Sequence, residues 1–310
     1  MSKKVVSITG GSGFVGSLLV LKHLEKGDEV RVLSRKDSDV KGVKFFKGDL
    51  TEPSALNANL LTEFVNGSDI IYHCAGEIRK QSEMYDLHVN GTKRLLEIVS
   101  DQDCQWVQLS SVGAYGVCDM DLVSESCHEN PQGIYEQTKT ISDELIRTSG
   151  LPYTILRPST IFGSNMNNKS LEQMTRMIQR KLFFYMSKDS IVNYVHINDV
   201  VSALMLCAEN PEAEGKTYIL SDSTKLDNMV NSISDGLKVR QPFLYIPKVV
   251  AQLIARLSYI IPNFPLTEER INVLTSHSVY SSSKIKSELG FSFERKLSEA
   301  FYDYAKTTRK

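Results

Sequence analysis

The start of the chain constrains it most. Val5-Val6-Ser7-Ile8 is a short apolar run leading straight into Thr9-Gly10-Gly11-Ser12-Gly13-Phe14-Val15-Gly16, and Leu18, Leu19, Val20, Leu21 and Leu24 follow at helical spacing. Strand, glycine turn and amphipathic helix in that order form the dinucleotide-binding fingerprint. Each glycine has its own expected task. Gly10 makes the tight turn, Gly13 lets main-chain N–H groups approach a pyrophosphate, and Gly16 lets helix and strand pack closely. The diphosphate would rest on the positive end of the helix dipole. The glycines alone would fit an ordinary turn; the flanking strand and helix decide for a nucleotide site.

Strand-like and helix-like segments alternate through the first half of the chain, which implies βαβ units and a parallel sheet. Expected strands are Lys4–Ile8, Glu29–Leu33, Lys44–Phe46, Asp69–His73, Trp106–Leu109 and Tyr153–Leu156, with helices over Phe14–Glu25, Glu83–Val99 and Gly133–Thr148. Alternation fades after Gly163. Asn165–Asn168 reads as a polar loop and Leu171–Arg180 as a helix, followed by a strand over Val192–Ile197 and an apolar helix over Val200–Ala208. Tyr218–Leu220 resembles a last sheet strand, and the tail carries helical patterns at Val249–Ile261, Ser281–Leu289 and Leu297–Ala305. The expected fold is α/β, a doubly wound parallel (Rossmann) sheet with a smaller C-terminal substrate lobe. The cofactor domain is placed at residues 1–165 with 196–220 returning to it, and the lobe at 166–195 and 221–310.

Composition excludes several classes. With a formal net charge of −1 and no long basic run, nucleic-acid binding has no electrostatic footprint. The five cysteines have no C-x-x-C spacing, which argues against a disulfide framework or a metal site. Val249–Ile261 contains Arg256 and is bounded by Pro247 and Pro262, too short and interrupted to span a bilayer. No signal-peptide pattern precedes the first strand, so a reducing cytoplasm is the expected setting.

An NAD site usually has an acidic residue at the end of the second strand to bind the ribose 2′-hydroxyl. Here Val30-Arg31-Val32-Leu33 runs into Ser34-Arg35-Lys36, with cations where a 2′-phosphate would want them. NADP(H) is therefore expected over NAD(H), although a solvated basic turn would read the same way. Gly48-Asp49-Leu50 is placed to meet the adenine, with Asp49 accepting from its amino group or capping the next helix.

Tyr135 and Lys139 stand at i and i+4, on one helix face. Tyr280 and Lys284, and Tyr302 and Lys306, share the spacing but lie in the tail and read as surface or packing pairs. Tyr135 alone lies in the dinucleotide-binding half, preceded by Ser110-Ser111 at a strand end. With Thr9–Gly16, Gly48-Asp49-Leu50, His73-Cys74-Ala75-Gly76, Val89-Asn90-Gly91-Thr92, Tyr115-Gly116, Leu156-Arg157-Pro158 and Val195–Val200 in order, the chain resembles the extended short-chain dehydrogenase/reductase family. The resemblance covers nearly its whole length.

That resemblance implies roles residue by residue. Tyr135 would be the general acid/base, and Lys139 would lower its pKa from about 10 while holding the nicotinamide ribose. Ser111 would hydrogen-bond the reacting oxygen. Asn90 would support the site, and Phe14, Val15, Leu50 and Ala75 would border the cofactor. Ser111, Thr160 and Arg270 are candidate substrate contacts, Arg270 equally a solvated helix charge. His196 stands alone and reads as a buried imidazole with a hydrogen-bond partner, beside Asp199 as a helix cap. Trp106 and Phe183-Phe184-Tyr185 read as packing, and Cys74 as a small core residue near the cofactor.

Val112-Gly113 after Ser111 leave no Asp-Glu pair for sugar dehydration, and Val112-Gly113-Ala114 leave no cysteine for the fucose-synthase route. What remains is hydride transfer at one carbinol carbon. The leading expectation is C4 of a nucleotide-activated hexose, by a 4-epimerase or 4-ketoreductase. Against it, Val192-Asn193-Tyr194-Val195-His196 lacks the arginine by which sugar epimerases contact phosphate. The alternative is reduction of an apolar ketone, as in the 3β-hydroxysteroid and dihydroflavonol reductase relatives. A cofactor-sensing binding protein is disfavoured because Ser111, Tyr135 and Lys139 are all present. The resemblance also implies a homodimer built on helices Glu83–Val99 and Gly133–Thr148.

Overall fold

The structure is a computed structural model describing residues 3–35, 40–99, 103–117, 120–164, 166, 169–257, 271–272 and 274–308. Its strands in chain order are β1 (Val5–Thr9), β2 (Glu29–Ser34), β3 (Val43–Lys47), β4 (Ile70–His73), β5 (Gln105–Leu109), β6 (Leu122–Val123), β7 (Tyr153–Pro158), β8 (Thr160–Phe162), β9 (Ile191–His196), β10 (Lys216–Leu220), β11 (Asp222–Lys225) and β12 (Val279–Tyr280). Seven of them form one parallel sheet in the order β10-β7-β5-β4-β1-β2-β3. β4 is buried along its length and β7 nearly so, as expected of strands covered on both faces. The chain reverses direction of travel between β1 and β4, so the crevice at their C-terminal ends is the topological switch point where such sheets bind ligands.

Helices cover both faces. On one side, α1 (Phe14–Lys26) packs Leu19 and Val20 against the sheet beside Val200, Val201 and Leu204 of a later helix, Ile197–Glu209. On the other, α2 (Ala55–Val65), the segment α3 (Gln81–Tyr85) through α4 (Gly91–Val99), and α5 (Ile134–Arg147) bury Phe64, Leu95, Val99 and Ile146 around Trp106. Each fully buried Leu or Phe contributes about 1.5–3 kcal/mol relative to exposure. Cutting Leu19, which has no exposed surface, to alanine would cost roughly 2–5 kcal/mol.

A second core lies outside the sheet. β8, β9 and β11 form a three-stranded sheet under α6 (Ser170–Gln179), α8 (Leu226–Leu237) and the last helix, Leu297–Thr308, with Phe162 stacked on Phe301 at 4.5 Å between ring centroids. α7 is the helix Ile197–Glu209. It starts earlier than expected, and His196, not Asp199, holds the cap position. Asp199 lies inside the first turn, where its carboxylate accepts from Glu294 N at 2.8 Å.

Two further departures matter. The expected helix Glu83–Val99 is interrupted by a π-helical turn over Asp86–Asn90. Helix α8 has no counterpart among the expected elements; Asn228, Asn231, Ser232, Ser234 and Gly236 are weak helix formers, and packing against the last helix holds it. The tail helix α9 runs over Lys248–Leu257, and the remainder of the expected Val249–Ile261 segment lies outside the described residues.

Candidate active site

Gly10 has φ +68°, and a Cβ there would lie 2.8 Å from Ala75 N and from the Cys74 carbonyl. Only glycine lets the chain leaving β4 pass this turn. A Cβ on Gly16 would come within 2.2 Å of Gly10 O, so Gly16 closes helix onto turn more than helix onto strand. Gly13 is the N-cap of α1, with no side-chain cap and no acid in the first turn. The helix therefore offers uncapped N–H groups and a positive dipole end at the sheet's crevice, which suits a diphosphate. Val15 is buried in the core, and Phe14 is partly buried, facing Gly163. An open groove of about 410 Å³ runs from Gly13 and Phe14 to Ser164, His196 and Asn198.

Behind this turn runs a buried polar chain. Ala75 N donates to Thr9 Oγ1 (3.2 Å), which lies 2.8 Å from His73 Nδ1; His73 Nε2 lies 3.0 Å from Thr92 Oγ1, which donates to His88 O (2.6 Å). With Thr92 donating onward, His73 carries its proton on Nε2 and accepts from Thr9. Burial, aided by the charge of Lys139, holds His73 down to about 3, so it is neutral. The chain fixes the Ala75 main chain relative to the π turn.

His88, in that turn, accepts from Glu77 N through Nε2 (2.9 Å) and lies 2.8 Å from Thr138 Oγ1 through Nδ1, which must carry its proton. Burial and Lys139 hold it to about 3 as well. Its ring stands edge-on to Tyr135 at 5.7 Å between centroids. The imidazole thus braces the phenol from the neighbouring helix.

Ser111, two residues past β5, caps a 3₁₀ turn over Val112–Tyr115, its Oγ accepting from Gly113 N at 3.0 Å. A Cβ on Gly113 would meet Glu136 Cγ at 2.8 Å and Ser111 Oγ at 3.3 Å, so this turn sits directly against the first turn of α5, where Tyr135 lies. Lys139, one turn further on, is 4% exposed and has no hydrogen-bond partner among the described residues. Burial lowers its pKa, opposed by Asp143 and Cys74. Burial pushes Tyr135 up to about 12, with the charges of Asp143 and Glu136 adding to the effect. The protein alone therefore does not acidify the phenol as the Tyr–Lys spacing predicts, since burial and the two nearby carboxylates all act in the opposite direction. The Cys74 thiol is likewise pushed up to about 12 by burial, which suits a core residue and not a nucleophile.

The outer positions are more varied. Arg35 is exposed just past β2 and makes no ion pair with a described residue; Ser34 O accepts from Gly48 N at 3.1 Å. Lys36 and Arg270 lie outside the described residues. Asp49 accepts from Thr51 N (2.9 Å) and Thr51 Oγ1 (2.8 Å) through one oxygen and does not cap α2; Ser54 does. Leu50 is buried against Gly91. Asn90 donates to Asp86 Oδ1 at 2.8 Å, and Thr160 is exposed on β8.

His196 is half-buried, its Nε2 accepting from Arg295 at 3.1 Å, and burial and that cation lower it to about 4. No group of His, Cys, Asp and Glu fit to hold a metal occurs among the described residues. Of the tail Tyr–Lys pairs, Lys306 packs over its own Tyr302, whereas Lys284 lies over Tyr218 and donates to Thr217 O at 2.9 Å. Sequence reasoning missed Asp143, four residues after Lys139 on the same face of α5, which holds Arg157 and Ser110. Its i+4 spacing was the available signal.

A doubly wound sheet with a glycine-cradled helix N-terminus at its switch point is the architecture of the short-chain dehydrogenase/reductases. The model of the NAD dependent epimerase/dehydratase family matches residues 6–221, and the chain belongs to that family. It is 28% identical over 249 residues to cinnamoyl-CoA reductase 1 of Petunia hybrida, covering 72% of this chain and 74% of that one. It is 24% identical over 255 residues to UDP-glucose 4-epimerase of Lactobacillus helveticus, covering 71% and 76%. The solved structure of WbmG from Bordetella bronchiseptica in complex with NAD superposes with a TM-score of 0.77 at 16% identity, over 99% of this chain and 96% of that one. The chain is thus a member of the NAD-dependent epimerase/reductase superfamily.

Proposed function

We propose that this protein is an NAD(P)-dependent enzyme acting at C4 of a nucleotide-activated hexose, as a 4-epimerase or 4-ketoreductase, with NADP(H) preferred. The observation that carries the reading is Lys139: a buried ammonium without an acceptor, one turn after Tyr135, within electrostatic reach of Cys74 beside the Gly10 turn. A buried ammonium without a hydrogen-bond acceptor is costly, and a cofactor ribose would supply its missing acceptors. The glycine cradle at α1 fits the diphosphate, Arg35 the 2′-phosphate, Ala75 and Asn90 the nicotinamide half, and Asp49 and Leu50 the adenine. When bound, the nicotinamide supplies the acceptor and donor of two electrons.

Each side chain then has a task. Because Ser111 Oγ accepts from Gly113 N, its own proton is free for the reacting oxygen of the substrate. Tyr135 exchanges a proton with that same oxygen, and Lys139 stabilises the phenolate form in a dry site. His88 holds the Tyr135 ring in place. The smaller assembly (166–195 and 221–310) serves as the substrate lobe beside a cofactor domain of 1–165 and 196–220, with Thr160 at their junction and Arg270 as a phosphate contact. A homodimer through the α3–α4 segment and α5 accounts for Tyr85, Ile134 and Ile141, which are exposed on those helices.

Similarity to a dihydroflavonol 4-reductase of Arabidopsis thaliana supports a second reading, reduction of an apolar ketone. The two are separated by releasing and identifying any nicotinamide from purified protein and assaying it with UDP-hexoses. Retained cofactor with interconversion of C4 epimers is expected. Rapid NADPH exchange with turnover of an apolar ketone alone would replace the sugar reading, and no turnover of either would leave a cofactor-sensing role.

A further inference from the structure

One face of the C-terminal region departs from what a surface helix should show. Helix α9 packs Ala251 and Ala255 inward against Met186 and Ile271, yet its outer side carries Val249 (67% exposed), Val250 and Leu253 (56%). A surface helix normally turns polar residues outward. The patch continues onto the preceding segment through Phe243 (81%) and Leu244. It continues again onto Leu182, because Tyr185 N donates to Leu244 O and Ile246 N to Tyr185 O, holding 182–186 alongside 243–246.

The two chain segments that form the patch carry charge of one sign, with Asp227 of α8 the acid that reaches Tyr185 from outside them. No Asp or Glu occurs between Glu172 and Asp189, or between Asp235 and Glu268. These two runs hold eight of the 36 lysines and arginines and none of the 37 acids, in a chain whose net charge is −1. Arg180, Lys181, Lys238, Arg240 and Lys248 are exposed there, and Arg240 lies over the Phe243 ring at 5.5 Å.

We propose that this face docks on an anionic lipid bilayer, with α9 in the plane of the interface. Val249, Leu253, Phe243 and Leu182 enter the headgroup–acyl boundary, and the cations pair with lipid phosphates. Apolar area and positive charge lying together on one face meet both requirements of interfacial binding. No described helix is long and apolar enough to cross a membrane, so docking is peripheral.

The test is co-sedimentation of the full chain with vesicles of phosphatidylcholine alone or mixed with phosphatidylglycerol. Binding is expected only to the mixed vesicles, and should weaken sharply at about 1 M salt, where the Debye length is about 3 Å. The Val249→Asp/Leu253→Asp variant should lose binding, and Arg240→Glu and Lys181→Glu should each weaken it at least about fivefold. NADPH binding by each variant checks folding. Failure to sediment with anionic vesicles at low salt, or binding unaffected by Val249→Asp/Leu253→Asp, overturns the proposal. So does self-association abolished by those substitutions in a protein that ignores vesicles, which would assign the face to a second copy.

Discussion

Arg157 gives both Nε and Nη2 to a single oxygen of Asp143, at 3.1 and 2.8 Å, with the two side chains 1% and 0% exposed. The same oxygen accepts from Ser110 Oγ at 2.7 Å, so the ends of β5 and β7 are both keyed to α5 one turn past Lys139. Glu129, bridging Arg157 and Arg147 at the rim, completes the cluster. The lock fixes α5, which carries Tyr135, to the chain leaving β5 that leads into Ser111.

Arg157→Met leaves a carboxylate buried without its cation and should cost about 3–5 kcal/mol in urea unfolding. The double variant Asp143→Leu/Arg157→Met should recover much of that loss, because the uncompensated charge is gone. Equal destabilisation by the single and double variants would show that packing, not charge, is lost.

Tyr135→Phe should lower turnover at least about 100-fold while leaving cofactor affinity nearly unchanged. Lys139→Met should weaken cofactor binding and also move the alkaline rise of turnover to higher pH, since a phenol that burial already raises loses its stabilising cation. Titration calorimetry with NADPH and a pH–rate profile separate the two effects.

If Arg35 reads a 2′-phosphate, Arg35→Ala should weaken NADPH binding by about tenfold or more and leave NADH binding alone. Identical losses for the two cofactors would remove the assignment.

His73 and His88, neutral and held near 3 in the folded protein, stay unprotonated where an unfolded chain with pKa about 6.5 takes up protons. Their contribution is therefore complete above pH 6.5 and is lost as pH falls toward 3, by up to about 1.4 kcal/mol per pH unit for each ring. The urea midpoint should fall between pH 7 and 5, and less steeply in His73→Gln. A flat profile would mean the imidazoles are already charged in the native state.

The nucleotide half was legible because its signals are local. A strand, a turn with φ +68° at Gly10 and an uncapped helix start are set by a few adjacent residues, and the six expected strands lie within two residues of β1, β2, β3, β4, β5 and β7. Helix α8 and the short strands β6, β8, β11 and β12 were not legible, since weak propensities there are overridden by packing and by pairing with distant segments. The π turn at Asp86–Asn90 escaped for a similar reason: one added residue changes no pattern, yet it turns His88 onto Tyr135 and Thr138.

By itself the sequence determined the parallel sheet, the glycine cradle and the Tyr135–Lys139 face, all products of short-range geometry. Only the tertiary structure decided that Asp143 would clamp Arg157, that His73 and His88 would be neutral, and that Tyr135 would be a weak acid. Those properties depend on how deeply a group is withdrawn from water and on which distant charge shares its surroundings, and neither is written in the spacing of residues.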